Sequence, residues 1–107
     1  MIEKNPTEIK AILGDSGKDT LLLDVREYWE YDICHINGSL HIPMGEIINR
    51  LNEIKKNKIL IVVCHHGIRS GVVGQYLSNH GFLNVLNLTG GIDKWAKEMD
   101  EDMPRYV

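Results

Sequence analysis

Ile59-Leu60-Ile61-Val62-Val63-Cys64-His65-His66-Gly67-Ile68-Arg69-Ser70 is the stretch that decides the fold. Ile59 to Val63 is the most apolar run in the chain, and a short run without polar alternation suits a central parallel strand buried on both faces. Polar residues and a glycine follow at once. Ser70 then opens a helical pattern that runs to His80, with Val72, Val73, Tyr76 and Leu77 directed inward and Gly81 as its stop. The segment predicts a strand, a tight loop and a helix in succession.

The flanking sequence repeats that alternation. Asn5 and Glu8 stand at capping-box spacing around Pro6, Ile9, Ile12 and Leu13 share one helix face, and Gly14 offers a stop. Thr20 to Val25 reads as a second buried strand. Tyr28, Trp29, Tyr31, Asp32 and Ile33 form a brief helix before the Asn37-Gly38 turn, and His41-Ile42-Pro43 is a short extended stretch. Ile47, Ile48, Leu51 and Ile54 give a helical stripe over Gly45 to Ile54. Asn84 to Leu88 is another strand, and Thr89-Gly90-Gly91 turns the chain into a last helix bearing Ile92, Trp95, Ala96 and Met99. Such alternation predicts an α/β fold: a central parallel β-sheet flanked by α-helices on both faces. No repeat or linker divides the 107 residues, so one domain spanning 1–107 is expected.

Composition narrows the function. Hydrophobic residues make up 43% of the chain and charged residues 25%, an ordinary globular mix. A formal charge of −3 gives no basic footprint for nucleic acid or for an anionic membrane. No apolar run approaches the ~20 residues of a membrane helix, and the first residues lack the pattern of a secretory signal. The cytoplasm is the expected compartment. Two cysteines, Cys34 and Cys64, are too few for a disulfide framework, so each is expected as a free thiol.

The chemistry gathers where the central strand ends, since ligands of open parallel sheets bind at the carboxyl ends of strands. A helix N-terminus supplies unpaired N–H groups and positive dipole charge. Gly67 permits the positive φ that curls the loop and makes those groups converge. Arg69 adds permanent positive charge, Ser70 opens the helix, and Cys64 sets a sulfur at the mouth of the cradle. Together these should lower the thiol pKa below its free value of ~8.5. The same donors could hold a sulfur anion one atom longer, a persulfide. A lone cysteine at a strand end is ordinarily inert core; Gly67, Arg69 and the strand–loop–helix context mark Cys64 as functional.

Cys64-His65-His66-Gly67-Ile68-Arg69-Ser70 resembles the active-site loop of single-domain rhodaneses, a family of sulfurtransferases. The likeness runs through nearly the whole chain. Leu22-Leu23-Asp24-Val25-Arg26-Glu27 is similar to that family's first strand-end motif, and His35-Ile36-Asn37-Gly38-Ser39-Leu40-His41-Ile42-Pro43 to its second, with Asn37 and Ser39 departing from the usual proline and alanine. Leu88-Thr89-Gly90-Gly91-Ile92-Asp93-Lys94-Trp95 resembles its closing motif, and Pro104-Arg105-Tyr106 an ending seen in some members. The resemblance implies a cysteine alternating between thiol and persulfide, charged by thiosulfate or a protein persulfide and discharged to a thiol or to cyanide. It also implies partners such as a cysteine desulfurase, an adenylating enzyme or a sulfur-carrier protein, and no cofactor.

Spacing separates two chemistries on such a scaffold. Tyrosine-phosphatase-like enzymes need C-x5-R, whose longer loop wraps phosphate and whose arginine clamps it bidentately. Here Arg69 gives C-x4-R, Ser70 holds the position C-x5-R gives to arginine, and Val63 precedes the cysteine. The shorter loop favours a terminal sulfur over phosphate or arsenate. A binding module without catalysis is the other alternative, and the intact Cys64 argues against it.

The remaining candidates have plainer readings. His65 and His66 either hydrogen-bond the donor and tune the sulfur or are simply exposed loop residues. With Cys64 and the Cys34-His35 pair they lack zinc-ligand spacing, so no metal is expected. Cys34 reads as a spectator, because nothing basic or glycine-rich surrounds it. Asp24 and Arg26, at a strand end, are expected to form an ion pair bracing neighbouring loops. Trp29 and Trp95 are anchors of core or rim, and Glu98 to Asp102 is a solvated acidic surface.

Overall fold

The computed structural model describes residues 1–107. In chain order it contains β1 (Ile2–Lys4), α1 (Pro6–Ser16), β2 (Thr20–Asp24), α2 (Tyr28–Ile33), β3 (Leu40–His41), β4 (Ile59–Val63), α3 (Ile68–Ser78), β5 (Val85–Leu88) and α4 (Gly91–Met99). Short 3-10 turns cover Gly17–Asp19, Met44–Glu46 and Ile48–Glu53. All strand pairings are parallel, in the order β1-β5-β4-β2-β3, so β4 is central as its apolar run predicted.

The alternation of side chains along β4 builds two cores. Leu60, Val62 and Cys64 face one side, where Val73 and Leu77 of α3 pack with Ile47 and Ile54. Ile61 and Val63 face the other, against Ile9 of α1 and Ile92 and Trp95 of α4. Leu60, Ile61, Val62 and Val63 are each no more than 1% exposed. Removing such side chains from water contributes about 1.5–3 kcal/mol apiece, which is why this run must be central. The helices on both faces are the α/β arrangement expected.

Local signals held where the chemistry was local. Asn5 Oδ1 accepts the Glu8 N–H at 2.9 Å and Glu8 Oε1 accepts the Asn5 N–H at 3.0 Å, closing the capping box of α1. Gly14 does not end that helix, which continues to Ser16. A glycine stops a helix by turning left-handed, and Gly14 is not among the positive-φ residues. The stripe over Gly45 to Ile54 is two 3-10 turns, with Arg50 leaving helical geometry at φ −124°. Ile47 and Ile54 are buried, whereas Ile48 is exposed. α3 begins at Ile68, two residues before Ser70, and Val72 points to solvent. β1 carried no sequence signal: its three residues have no apolar pattern, and its partner is the edge of β5. No helix is long and apolar enough to cross a membrane.

Candidate active site

β4 hands the chain to Cys64-His65-His66-Gly67 and so to α3. Topology makes this loop a candidate site. α3 leaves β4 toward one face of the sheet, and α4 leaves the adjacent β5 toward the other. Neighbouring strands whose helices diverge open a crevice at their carboxyl ends.

Two glycines shape the loop. Gly67 has φ 99°, and a Cβ there would stand 3.3 Å from the Leu88 carbonyl oxygen and the Gly90 nitrogen. Its N–H turns inward and donates to Cys64 Sγ at 3.0 Å. Gly91, at φ 65°, lies so close to the Cys64 and His65 carbonyls that a Cβ would collide with both. Those carbonyls accept the N–H groups of Ile92 at 2.8 Å and Asp93 at 3.2 Å. The first turn of α4, whose N–H groups have no partner within the helix, therefore props the base of the loop.

Cys64 lies deeper than a sulfur at the mouth of a cradle: the residue is 1% exposed, while Ile68 in the same loop is 78% exposed. Ser70, wholly buried, brings its hydroxyl 3.2 Å from Sγ. Gly67 N–H and Ser70 Oγ are the polar partners of the sulfur.

Arg69 differs from the expectation of a free positive charge. Its Nη1 and Nη2 donate to the two carboxylate oxygens of Glu30 at 2.7 and 2.8 Å. Glu30, which the sequence reading missed, is buried in α2. Burial alone would raise its carboxyl; the Arg69 guanidinium, the Glu27 N–H and the Tyr106 hydroxyl outweigh that and hold it at about 2. The pair closes the loop against α2 and leaves little net charge for an anion.

His65 stacks between His66 and Tyr106, with ring centroids 3.9 and 4.0 Å away. Its Nε2 is 3.0 Å from the Tyr106 carbonyl oxygen. Burial, then the neighbouring His66, pull its pKa below the ordinary imidazole value and favour the neutral ring. His66 is exposed, with Nε2 3.8 Å from Asp93. Its neighbour Asp93 also accepts from Arg105 Nε at 3.0 Å.

Asp24 and Arg26 form a fully buried ion pair, Nη2 to Oδ2 2.7 Å, beside the site. Arg26 Nη2 also donates to the Cys34 carbonyl at 2.7 Å, and Nη1 to the Tyr106 hydroxyl oxygen at 3.0 Å. That hydroxyl donates in turn to Glu30 Oε1 at 2.8 Å. Arg26 thus ties β2, α2 and the C-terminal segment together. Cys34 belongs to the core on the opposite face of the sheet from Cys64, and no three metal-ligating side chains cluster anywhere. The largest cleft, about 400 Å³, is remote from this loop, lined by residues such as Ile2, Ile12, Ile59 and Leu83.

The fold and site define a parallel α/β domain with a buried cysteine at the carboxyl end of its central strand, where the Gly67 N–H and the Ser70 hydroxyl meet the sulfur. The Rhodanese-like domain family matches residues 5–98, and the chain belongs to that family. It is 36% identical over 95 residues to the thiosulfate sulfurtransferase GlpE of Coxiella burnetii, covering 89% of each chain. It is 40% identical over 82 residues to the putative sulfur carrier protein YrkF of Bacillus subtilis, covering 77% of this chain and 44% of that one. Against the probable adenylyltransferase/sulfurtransferase MoeZ of Mycobacterium tuberculosis it is 36% identical over 104 residues, 94% of this chain but 26% of the relative. This chain therefore spans well under two thirds of the latter two. A crystal structure of a rhodanese-like domain protein from Staphylococcus aureus superposes over the whole of both chains with TM-score 0.83 at 33% identity.

Proposed function

We propose that residues 1–107 work as one domain that transfers sulfane sulfur through a persulfide on Cys64, in a reducing compartment such as the cytoplasm. The observation that carries this reading is the Gly67 N–H directed at Sγ inside a four-residue Cys-to-Arg loop. The Cys64 thiolate attacks the outer sulfur of a donor, thiosulfate or a protein persulfide. With thiosulfate, the new S–S bond forms as the old one breaks, and sulfite leaves with the bonding electron pair. The outer sulfur then carries the negative charge. Loop N–H groups and the start of α3 stabilise it as an oxyanion hole does.

A thiol or cyanide acceptor next attacks that outer sulfur and returns Cys64 as thiolate. Gly67 shapes the loop, and the Arg69–Glu30 pair fixes its far side. Ile68 and His66 stand at the rim where a donor or partner approaches. A cysteine desulfurase, an adenylating enzyme or a sulfur-carrier protein are the partner classes this chemistry suits, and the relatives named as a sulfur carrier and as adenylyltransferase/sulfurtransferases support them.

Intact mass before and after thiosulfate treatment tests the reading. One added sulfur, removed by cyanide or dithiothreitol and absent from Cys64→Ser, is the expected result. No gain with thiosulfate or with a protein persulfide would move the assignment to a binding module without catalysis.

A further inference from the structure

Ile68 opens α3 directly after Gly67, and Val72 follows one turn later on the same helix face. Both are more than half exposed, as is Ile48. Val72 continues into a cleft of about 170 Å³ whose lining is wholly apolar, completed by Met44, Ile47, Ile48, Val73 and Tyr76. An apolar strip thus runs from the Cys64 loop across α3 to the 3-10 turns.

The charges along this strip are acidic in sum. Arg69 is taken up by Glu30, and Arg50 is shared by Glu46 and Glu53. Glu27, exposed at the start of α2, forms no ion pair. Four carboxylates stand against two guanidiniums, a net charge of −2. The lysines do not offset it. Lys55, Lys56 and Lys58 precede the amino end of β4, the far end of the sheet, and Lys94 lies along Gly90 on the α4 side of the loop. Thiosulfate, a dianion without apolar surface, gains nothing from such a rim.

We propose that this strip docks the protein that takes sulfur from Cys64, a partner whose reactive cysteine sits beside an apolar segment flanked by lysine or arginine. The inference rests on Cys64 as the persulfide site. The partner's thiolate attacks the outer sulfur of the Cys64 persulfide anion, and a new S–S bond forms as the old one breaks. The bonding pair returns to Cys64 Sγ, which leaves as thiolate, and the partner departs as a persulfide anion.

Depth makes docking useful. Cys64 is buried, and a persulfide extends only one S–S bond, about 2 Å, beyond Sγ. An acceptor must therefore press close to the loop, and Ile68 is the exposed side chain it meets there. Contact along Ile68, Val72 and Ile48 holds the two reacting sulfurs together. Basic flanks match the acidic rim, which speeds encounter and fixes orientation.

Synthetic cysteine peptides serve as probe acceptors. One flanks its thiol with leucines and lysines, a second has serines for the leucines, and a third has glutamates for the lysines. The full chain is loaded with thiosulfate or with cysteine persulfide, and loss of the added sulfur to each peptide is followed by intact mass. Each rate is divided by that peptide's rate with a small aromatic disulfide, which cancels differences in thiol reactivity. The leucine–lysine peptide should react about tenfold faster than the serine peptide, a gain that burying one leucine suffices to give. It should also outpace the glutamate peptide, by a margin that shrinks at about 1 M salt. Ile48→Ser with Val72→Ser replaces exposed side chains and should fold as wild type, with the leucine preference reduced to about twofold or less. Equal rates for the leucine and serine peptides in wild type, or a preference that the double variant keeps, overturns the proposal. So does a second copy of this chain on the strip, seen as a dimer in sedimentation that the double variant dissolves. A chain that loads with neither donor fails the Cys64 reading itself, and the docking proposal falls with it; a chain that loads but shows no preference overturns the docking proposal alone.

Discussion

Replacing Glu30 with glutamine removes one charge from the middle of a pair while keeping the side chain's shape. The carboxyl is held at about 2 against an ordinary 4.5, which corresponds to roughly 3 kcal/mol at 1.36 kcal/mol per pH unit. Glu30's own side chain is 4% exposed, but that of Arg69 is 34% exposed, so solvent screening reduces the expected loss to about 2–3 kcal/mol. For a chain of this size that is a fall in Tm of roughly 10–20 °C. The folded-state carboxyl titrates below the unfolded one. Its stabilisation is therefore complete above the unfolded value of 4.5 and is lost as pH falls through about 2. Urea unfolding of wild type and Glu30→Gln at pH 7, 3 and 2 measures this directly. The gap should be widest at pH 7, about half as large at pH 3 and nearly closed at pH 2. Equal stability at pH 7, or a gap that persists undiminished at pH 2, would refute the reasoning and leave Arg69 free to act as a cation.

Three further outcomes follow from the same geometry. Asp24→Asn strips the partner from the fully buried Arg26 and should cost about 3–5 kcal/mol by denaturant unfolding; a loss under 1 kcal/mol would mean the guanidinium finds water. Gly67→Ala forces a side chain into a backbone of φ 99° with contacts at 3.3 Å. It should destabilise by about 1–2 kcal/mol and reduce persulfide formation, as read by mass, more than stability alone explains. Cys34→Ala should leave persulfide loading on Cys64 intact, and oxidised wild type should show no bond between the two cysteines, which lie in separate cores; a Cys34–Cys64 disulfide in the peptide map would contradict the topology.

What a sequence reveals depends on how far apart the interacting groups are along the chain. The capping box joins residues three apart, the apolar run of β4 declares its own burial, and the Cys64–Gly67 turn likewise joins residues three apart. Each is legible because its geometry is set locally, by helix pitch, by strand alternation or by the φ that only glycine adopts at ease. Asn37 and Ser39 departed from the family's usual residues without disturbing the parallel sheet. The length of the cysteine loop, four residues between Cys64 and Arg69, was likewise countable from the sequence.

The partners of the site were not. Arg69 meets Glu30 39 positions away, Arg26 meets the Tyr106 hydroxyl 80 away, and Asn87 meets Glu3 84 away. A charge in a sequence gives its sign and reach, but not whether a buried opposite charge awaits it. That is settled by which strand ends converge, and convergence depends on strand order and on the face to which each helix departs. Sequence alone determined that Cys64 stands on a short, donor-rich loop after a central strand. Tertiary packing decided that the loop's arginine is paired with Glu30, that its sulfur is buried, and that the Ser70 hydroxyl stands between Cys64 and Asn87.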